Sequence, residues 1–388
     1  MKTLKDVVVV AYGRSPIGRG VKGTLASEVP TKFSAEVLQG VLARVPQLDP
    51  EMIDDVIVGC ATPEDVQGLN VARVICQRAD IPDRVPAQTV NRFCSSGLQS
   101  IAIGANAIMA DQADIIIAGG VESMSMLRMD IVDVTAVDQY LFRNKPAVYT
   151  PMGMTAELVA ENFEVAREDM DKFALNSELK AEAAQKAGAF KKEIIPVTYL
   201  DNEGKEHIFS EDECIRVSPL EALAELRPAF KTNDGYCTAA NSSPTADGAA
   251  FVVLMSADKA KELDIKPIAK FLGYQVEGLF PSIMGMGPVH AVPKLLDKLE
   301  MSIDDFDVIE LNEAFAAQSL PCIEQLEMNP DKVNPRGGAI ALGHPLGATG
   351  AILTCKALSY LEDTNGKYGL VTMCIGGGMG AAGAFELL

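Results

Sequence analysis

Histidine is scarce in this 388-residue sequence, basic charge is outweighed by acid, and neither long apolar runs nor closely paired cysteines occur. Lys and Arg number 34 against 53 Asp and Glu, a formal charge of −19. With no basic run to offset that field, a phosphate backbone or an anionic membrane surface is repelled, which excludes nucleic acid as a partner. Although 48% of the residues are apolar, no uninterrupted apolar stretch approaches the ~18 residues of a bilayer span, so membrane insertion is not expected. The eight cysteines, at 60, 76, 94, 214, 237, 322, 355 and 374, lack Cys-x-x-Cys spacing, which removes the common zinc pattern. The opening Met1-Lys2-Thr3-Leu4-Lys5-Asp6-Val7 runs straight into a strand-like segment with no apolar signal core. Reduced thiols and a cytoplasmic location are therefore expected.

What is present is an alternation of strand and helix patterns. Asp6 to Ala11 is a β-branched run suited to a strand buried on both faces, and Gly13 to Gly18 breaks it as a loop. A helical pattern over 31–45, a strand over 55–59, a helix over 71–79, a strand over 87–90, an apolar helix running to about 110 and a strand over 114–118 follow. This is the texture of an α/β domain. From Gly119-Gly120 to Ser243 the texture changes: Met124, Met126, Met129, Met152 and Met154 collect there, and a charged helical pattern runs from Arg167 to Gly188. The expected organisation is an N-terminal half over 1–118 and 244–268, an inserted covering segment over 119–243, and a C-terminal half over 269–388. The halves repeat: Asp55-Val56-Ile57 matches Asp307-Val308-Ile309, Gly97 matches Gly350, and Ile115 to Ile117 matches Gly369 to Val371, at offsets of 252, 253 and 254.

The chemistry centres on few groups. Cys94 stands between a β-type run ending at Val90 and the N-terminus of an apolar helix, where the helix dipole and free N–H groups favour a thiolate. It is either an activated nucleophile or a small core residue. Of the three histidines, His207 lies in a polar turn and His290 at a helix start, whereas His344 occupies the glycine-rich turn Gly343-His344-Pro345-Leu346-Gly347. A neutral imidazole there can take a thiol proton. If the halves pack about a pseudo-twofold axis, that turn faces Cys94. Cys374 ends the strand pattern Leu370 to Ile375 before Gly376-Gly377-Gly378, where active-site residues of α/β sheets gather, yet a core cysteine fits equally. Asn312, after the strand Val308 to Leu311, is a helix cap or a site residue. Gly378-Met379-Gly380-Ala381-Ala382-Gly383 satisfies a dinucleotide pattern, but neither helix nor ribose-binding acid follows it, so nicotinamide binding is rejected. The sequon Asn241-Ser242-Ser243 is expected to be unused.

Together, Asn91 to Gln99, Asn312 to Gln318, Gly338 to Gly350 and Cys374 to Gly380, with Arg14 to Gly18 and Thr238 to Ala250, resemble the thiolase family along essentially the whole chain. The resemblance implies duplicated βαβ-type halves in a five-layered αβαβα fold with an inserted loop domain, assembled as a homodimer or homotetramer. It implies thiolysis of 3-ketoacyl-CoA, with coenzyme A as co-substrate and no permanently bound cofactor or metal. Cys94 matches the family's acylated nucleophile, His344 its base, Asn312 the residue that holds a water in one oxyanion hole, and Cys374 the second acid/base. The N–H groups of Cys94 and Gly376 match the other oxyanion hole. For CoA, Ser243 matches a serine touching the pantetheine arm and Arg216 an arginine near the adenine, while Met154 and Met284 either line the acyl pocket or, the favoured reading for each, fill the core. Pro151 replaces a histidine common in biosynthetic members, Ala239-Ala240-Asn241 replaces the usual Ala-Gly-Asn, and Phe280 to Gly285 and Leu320 to Ile323 are similar to the degradative branch. A degradative 3-ketoacyl-CoA thiolase of fatty-acid β-oxidation, with a possible partner subunit, is the expected function. The alternatives are an acetoacetyl-CoA thiolase working in the condensing direction and a non-catalytic CoA-ester or lipid-binding protein of the same fold.

Overall fold

A computed structural model describes residues 4–127 and 137–388; Met129 of the methionine group lies outside the described residues. Twelve strands form among the described residues: β1 (Val7–Arg14), β2 (Gly18–Arg19), β3 (Asp55–Gly59), β4 (Ala87–Val90), β5 (Ile115–Ser123), β6 (Val197–Leu200), β7 (Glu206–Phe209), β8 (Ala246–Ser256), β9 (Ala269–Gly278), β10 (Val308–Leu311), β11 (Tyr368–Ile375) and β12 (Met379–Leu387). Ten of them make one sheet in the order β10-β11-β12-β9-β1-β8-β5-β3-β4, with β2 on β8, while β6 and β7 pair separately. Only Val8 with Lys270 and Val9 with Ala269 join β1 to β9. The sheet is therefore two half-sheets meeting at a narrow seam.

Alternation along the strands produces the layers. Val7, Val9, Ile116, Ala118, Val252 and Leu254 of the first half-sheet and Val371, Met373, Ala381 and Phe385 of the second point into one core, shared with the helices Ser96–Met109 and Leu346–Thr364. Val8, Val10, Ile115, Ile117, Phe251 and Val253 point outward onto the helices Pro30–Leu42 and Val71–Arg78. Ile309, Leu311, Leu370, Ala382 and Ala384 point outward onto the helix Gly287–Leu299. Helix, sheet, paired helices, sheet and helix make the five layers.

The duplication holds at one offset. Asp55 pairs with Ile116 in parallel β3 and β5, and Val308 with Gly369 in parallel β10 and β11. Asp54 accepts from the N–H groups of Asp114 and Ile115, and Asp307 from those of Lys367 and Tyr368. Residues 54, 55, 114, 115 and 116 thus recur at 307, 308, 367, 368 and 369, an offset of 253 throughout in place of the 252 to 254 read from sequence. Gly97 and Gly350 share that offset and form the crossing of the two central helices. A Cβ on Gly350 would lie 2.3 Å from the Leu98 N atom, and one on Gly97 2.8 Å from that of Ala351.

Two boundaries differ from expectation. β5 continues to Ser123, past the strand end read at Ala118, because Gly119 and Gly120 are strand residues set closely against the carbonyls of Ala250 and Gly347. β1 likewise includes Gly13 and Arg14, and β2 takes up Gly18, within the segment read as a loop. Arg14 is buried there because Glu193 and Asp212 of the 119–243 segment pair with its guanidinium at 2.8 and 2.7 Å.

Candidate active site

The C-terminal ends of β4, β5, β10 and β11 converge beside the N-termini of the two central helices, where unpaired helix N–H groups are concentrated. After β4 the chain turns sharply. Phe93 takes a φ of +44°, rare for an aromatic residue and held by local bonds. The Phe93 N–H donates to Asn91 Oδ1 at 2.8 Å, Asn91 Nδ2 donates to the Ala61 carbonyl at 3.0 Å, and Ser96 Oγ accepts from the Arg92 N–H while donating to the Phe93 carbonyl. This places Cys94, 2% exposed, among Ala61, Leu346 and Met124. Its sulfur meets the backbone N–H groups of Gly376 and of Cys94 itself.

Burial outweighs those two donors and pushes the Cys94 thiol up to about 11. The expectation of a thiolate favoured by its helix position is therefore corrected: without water around it the neutral thiol prevails. His344 is also buried, which lowers its imidazole to about 4 and keeps it neutral at pH 7. Its Nδ1 lies 2.6 Å from Thr349 Oγ1, whose hydroxyl donates to the Pro345 carbonyl at 3.0 Å. With that hydroxyl proton engaged, Nδ1 carries the ring proton and Nε2 keeps its lone pair. Asn312, extending from β10 with its N–H on the Thr372 carbonyl, sets Nδ2 3.3 Å from that Nε2. The Asn312 Oδ1 is buried and has no partner among the described residues.

Cys374, on β11, is fully buried with Met284, Ala314 and Phe315. Burial, followed by the nearby Cys94, pushes its thiol well above the usual range. A Cβ on Gly376 would lie 3.8 Å from the Phe93 ring and 4.0 Å from Met152 Sδ. Phe93 and Met152 are 46% and 37% exposed, so two solvent-facing apolar side chains flank the approach to Gly376. Met284 packs with Cys374, while the methionine set against Gly376 is Met152 and not Met154.

Cys94, His344, Asn312, Cys374 and Gly376 thus come together, and the two residues expected to touch CoA lie further out. Ser243 is half-buried, with its N–H and Oγ both on the Ala314 carbonyl. Arg216 is exposed and lines a cleft of about 260 Å³ with Arg19, Glu178, Ala239, Ala240 and Pro244. Its N–H donates to Glu178, whose carboxyl is pushed up to about 7 by burial. None of Ala239, Ala240 or Asn241 takes a positive φ, so alanine in place of the usual glycine introduces no backbone strain. Thr349 escaped sequence reading. Its position one helical turn beyond His344 at a helix start was the available signal.

Two duplicated α/β halves closing over a thiol, an imidazole and a second thiol define the class of molecule. The chain matches the thiolase N-terminal domain over residues 7–258 and the thiolase C-terminal domain over 265–387. It is 47% identical to a 3-ketoacyl-CoA thiolase of Bacillus subtilis (strain 168), covering 99% of this chain and 100% of the relative. With the peroxisomal 3-ketoacyl-CoA thiolase A of Mus musculus it shares 45% identity, covering 98% and 91%. The crystal structure of the Bacillus anthracis acetyl-CoA acetyltransferase superposes with a TM-score of 0.92 at 37% identity over the full length of both chains. This chain belongs to the thiolase family.

Proposed function

We propose that the protein is a degradative 3-ketoacyl-CoA thiolase, which uses CoA to cleave 3-ketoacyl-CoA into acetyl-CoA and a shortened acyl-CoA. The observation that carries this reading is the Cys94 sulfur facing the N–H groups of Cys94 and Gly376 with Cys374 alongside. It is supported by relatives of matching length that bear that name.

Both proton carriers start neutral, so proton transfer accompanies attack. Cys94 Sγ adds to the 3-keto carbon as its proton passes to His344, and the oxyanion takes the hydrogen bonds of the Cys94 and Gly376 N–H groups. Cleavage of the C2–C3 bond leaves an acyl-Cys94 and an acetyl-CoA enolate, whose oxygen faces His344 beside Asn312. The Cys374 thiol protonates C2, and its thiolate then removes the proton of an incoming CoA thiol. CoA attacks the acyl carbonyl in the same N–H pair, and expelled Cys94 recovers its proton from His344. Thiol chemistry suits both halves because sulfur attacks carbonyls and leaves them readily.

Ser243 and Arg216 are assigned to the pantetheine arm and the adenine end, with residues 119–243 as the covering domain and CoA as co-substrate rather than resident cofactor. A cytoplasmic homodimer or homotetramer, with a β-oxidation partner subunit, completes the reading. The name of the B. anthracis neighbour favours a second one, condensation of two acetyl-CoA units. Mass spectrometry after incubation with 3-ketooctanoyl-CoA should show an octanoyl chain shortened by two carbons on Cys94; absence of an adduct sinks the mechanism. Turnover confined to acetoacetyl-CoA sinks the degradative assignment in favour of the second reading.

A further inference from the structure

The duplication gives the catalytic N–H pair a counterpart. At the offset of 253, Cys94 corresponds to Gly347 and Gly376 to Ser123. The protein therefore carries a second pair of N–H donors, at a helix start of the second half and a strand end of the first, and both are filled from within the protein. Gly347 N–H donates to Glu122 Oε2 at 2.8 Å, and Ser123 N–H donates to Gln67 Oε1. Gln67 Nε2 donates to Glu122 Oε1 at 2.8 Å, joining the two acceptors, and the Ala61 N–H donates to Glu122 Oε2 at 2.8 Å. Both side chains are fully buried. A Cβ on Gly347 would fall 2.7 Å from Glu122 Oε2 and 2.6 Å from the Ala61 N atom, so only glycine admits the carboxylate.

This plug touches both catalytic turns. Ala61, bound through its N–H to Glu122, accepts the Asn91 amide that shapes the Cys94 turn and belongs to the small apolar cluster around Cys94. Gly347, bound to the same carboxylate oxygen, is three residues beyond His344, and the intervening Leu346 also packs on Cys94. One oxygen atom thus anchors the nucleophile's turn from the first half and the base's turn from the second. Nothing in the mechanism above uses it.

We infer that Glu122, held by Gln67, is a positioning residue that closes the duplicate oxyanion hole and thereby fixes the spacing of Cys94 and His344. The inference rests on the proposed thiolase mechanism. Glu122→Ala should lower kcat for thiolysis about a hundredfold, the scale of loss when reacting groups shift by about 1 Å. KM for CoA should stay within about twofold, since the cleft carrying Arg216 is untouched. Glu122→Gln alone sets two amide NH2 groups against each other and should also be impaired. The exchange of Gln67→Glu with Glu122→Gln restores the contact between the two side chains and the acceptor for the Ser123 N–H, while setting a carboxylate oxygen against the Thr62 carbonyl that Gln67 Nε2 meets at 3.0 Å, and should recover part of the kcat lost in Glu122→Gln. That recovery keeps the test decisive where Glu122→Ala fails to fold. A Glu122→Ala enzyme with wild-type kcat, or an exchange no better than Glu122→Gln alone, overturns the inference. Wild-type protein that forms no acyl-Cys94 overturns the mechanism instead, so the two failures are told apart.

Discussion

Replacing Gly350 with alanine tests whether the crossing of the two central helices sets the catalytic geometry. In an ordinary helix interior this change stabilises by about 1 kcal/mol, because alanine loses less backbone freedom on folding. Here the added methyl would stand 2.3 Å from the Leu98 N atom and 2.7 Å from Leu98 Cβ, where ordinary contact begins at 3.4 Å. The obstacle is backbone, so the helices have to part by about 1 Å; overpacking of this kind costs about 1–3 kcal/mol and reverses the helix gain. Cys94 lies at the start of one helix and His344 just before the other, so the separation passes straight to the pair that exchanges a proton in the proposed mechanism. We expect a lower thermal midpoint and a loss of kcat of about a hundredfold. Gly104→Ala, on the same helix as Gly97, is the control: its methyl meets only the Ile116 and Leu254 side chains at 3.0 Å, which can give way. Calorimetry and steady-state thiolysis on both variants provide the measurement. A Gly350→Ala enzyme that melts no lower than wild type and keeps its kcat refutes the reasoning.

Three further outcomes follow. Thr349→Val removes the acceptor that fixes His344 Nδ1–H, and kcat should fall about 10–100-fold with KM nearly unchanged; wild-type kcat would show that the tautomer is set elsewhere. His344 is held at about 4 against an ordinary 6.5, so the unfolded chain takes up a proton that the folded protein refuses; stability should decline from pH 6.5 to pH 4 by up to about 3 kcal/mol more than in His344→Asn, as chemical denaturation at several pH values can check. Asp212→Ala leaves Arg14 fully buried with Glu193 as its one remaining carboxylate, and should destabilise by about 3–5 kcal/mol in the same assay, whereas a loss under 1 kcal/mol would mean that water reaches the guanidinium.

The residues brought together at the site were legible because each sits in a short motif at an element boundary: Cys94 before a helix, Asn312 and Cys374 at strand ends, His344 in a glycine turn. Strand cores with β-branched runs, such as Val7 to Val10, were legible for the same local reason. Glu122 and Gln67 were not, since what they do depends on which distant backbone groups arrive beside them; Thr349, close to His344 in sequence, was overlooked. The last residues of β5 were hidden by Gly119-Gly120, because glycine weakens a strand pattern, and only the packed Gly347 carbonyl shows why the strand carries it there. The ionisation of Cys94 was misjudged because dipole and N–H donors can be inferred from position, whereas the depth of burial that outweighs them cannot.

β8 lies between β1 and β5 in the sheet, although roughly 230 residues separate β1 from β8 along the chain. During synthesis the first strand therefore waits, its edge unpaired, while the Cys94 helix and residues 119–243 leave the ribosome. Cys94 is made early but is enclosed late. A chain halted between the Cys94 helix and β8 would leave that helix on an open half-sheet, a natural substrate for chaperone capture, and fragments divided within residues 119–243 should associate only by completing β1-β8-β5 between them.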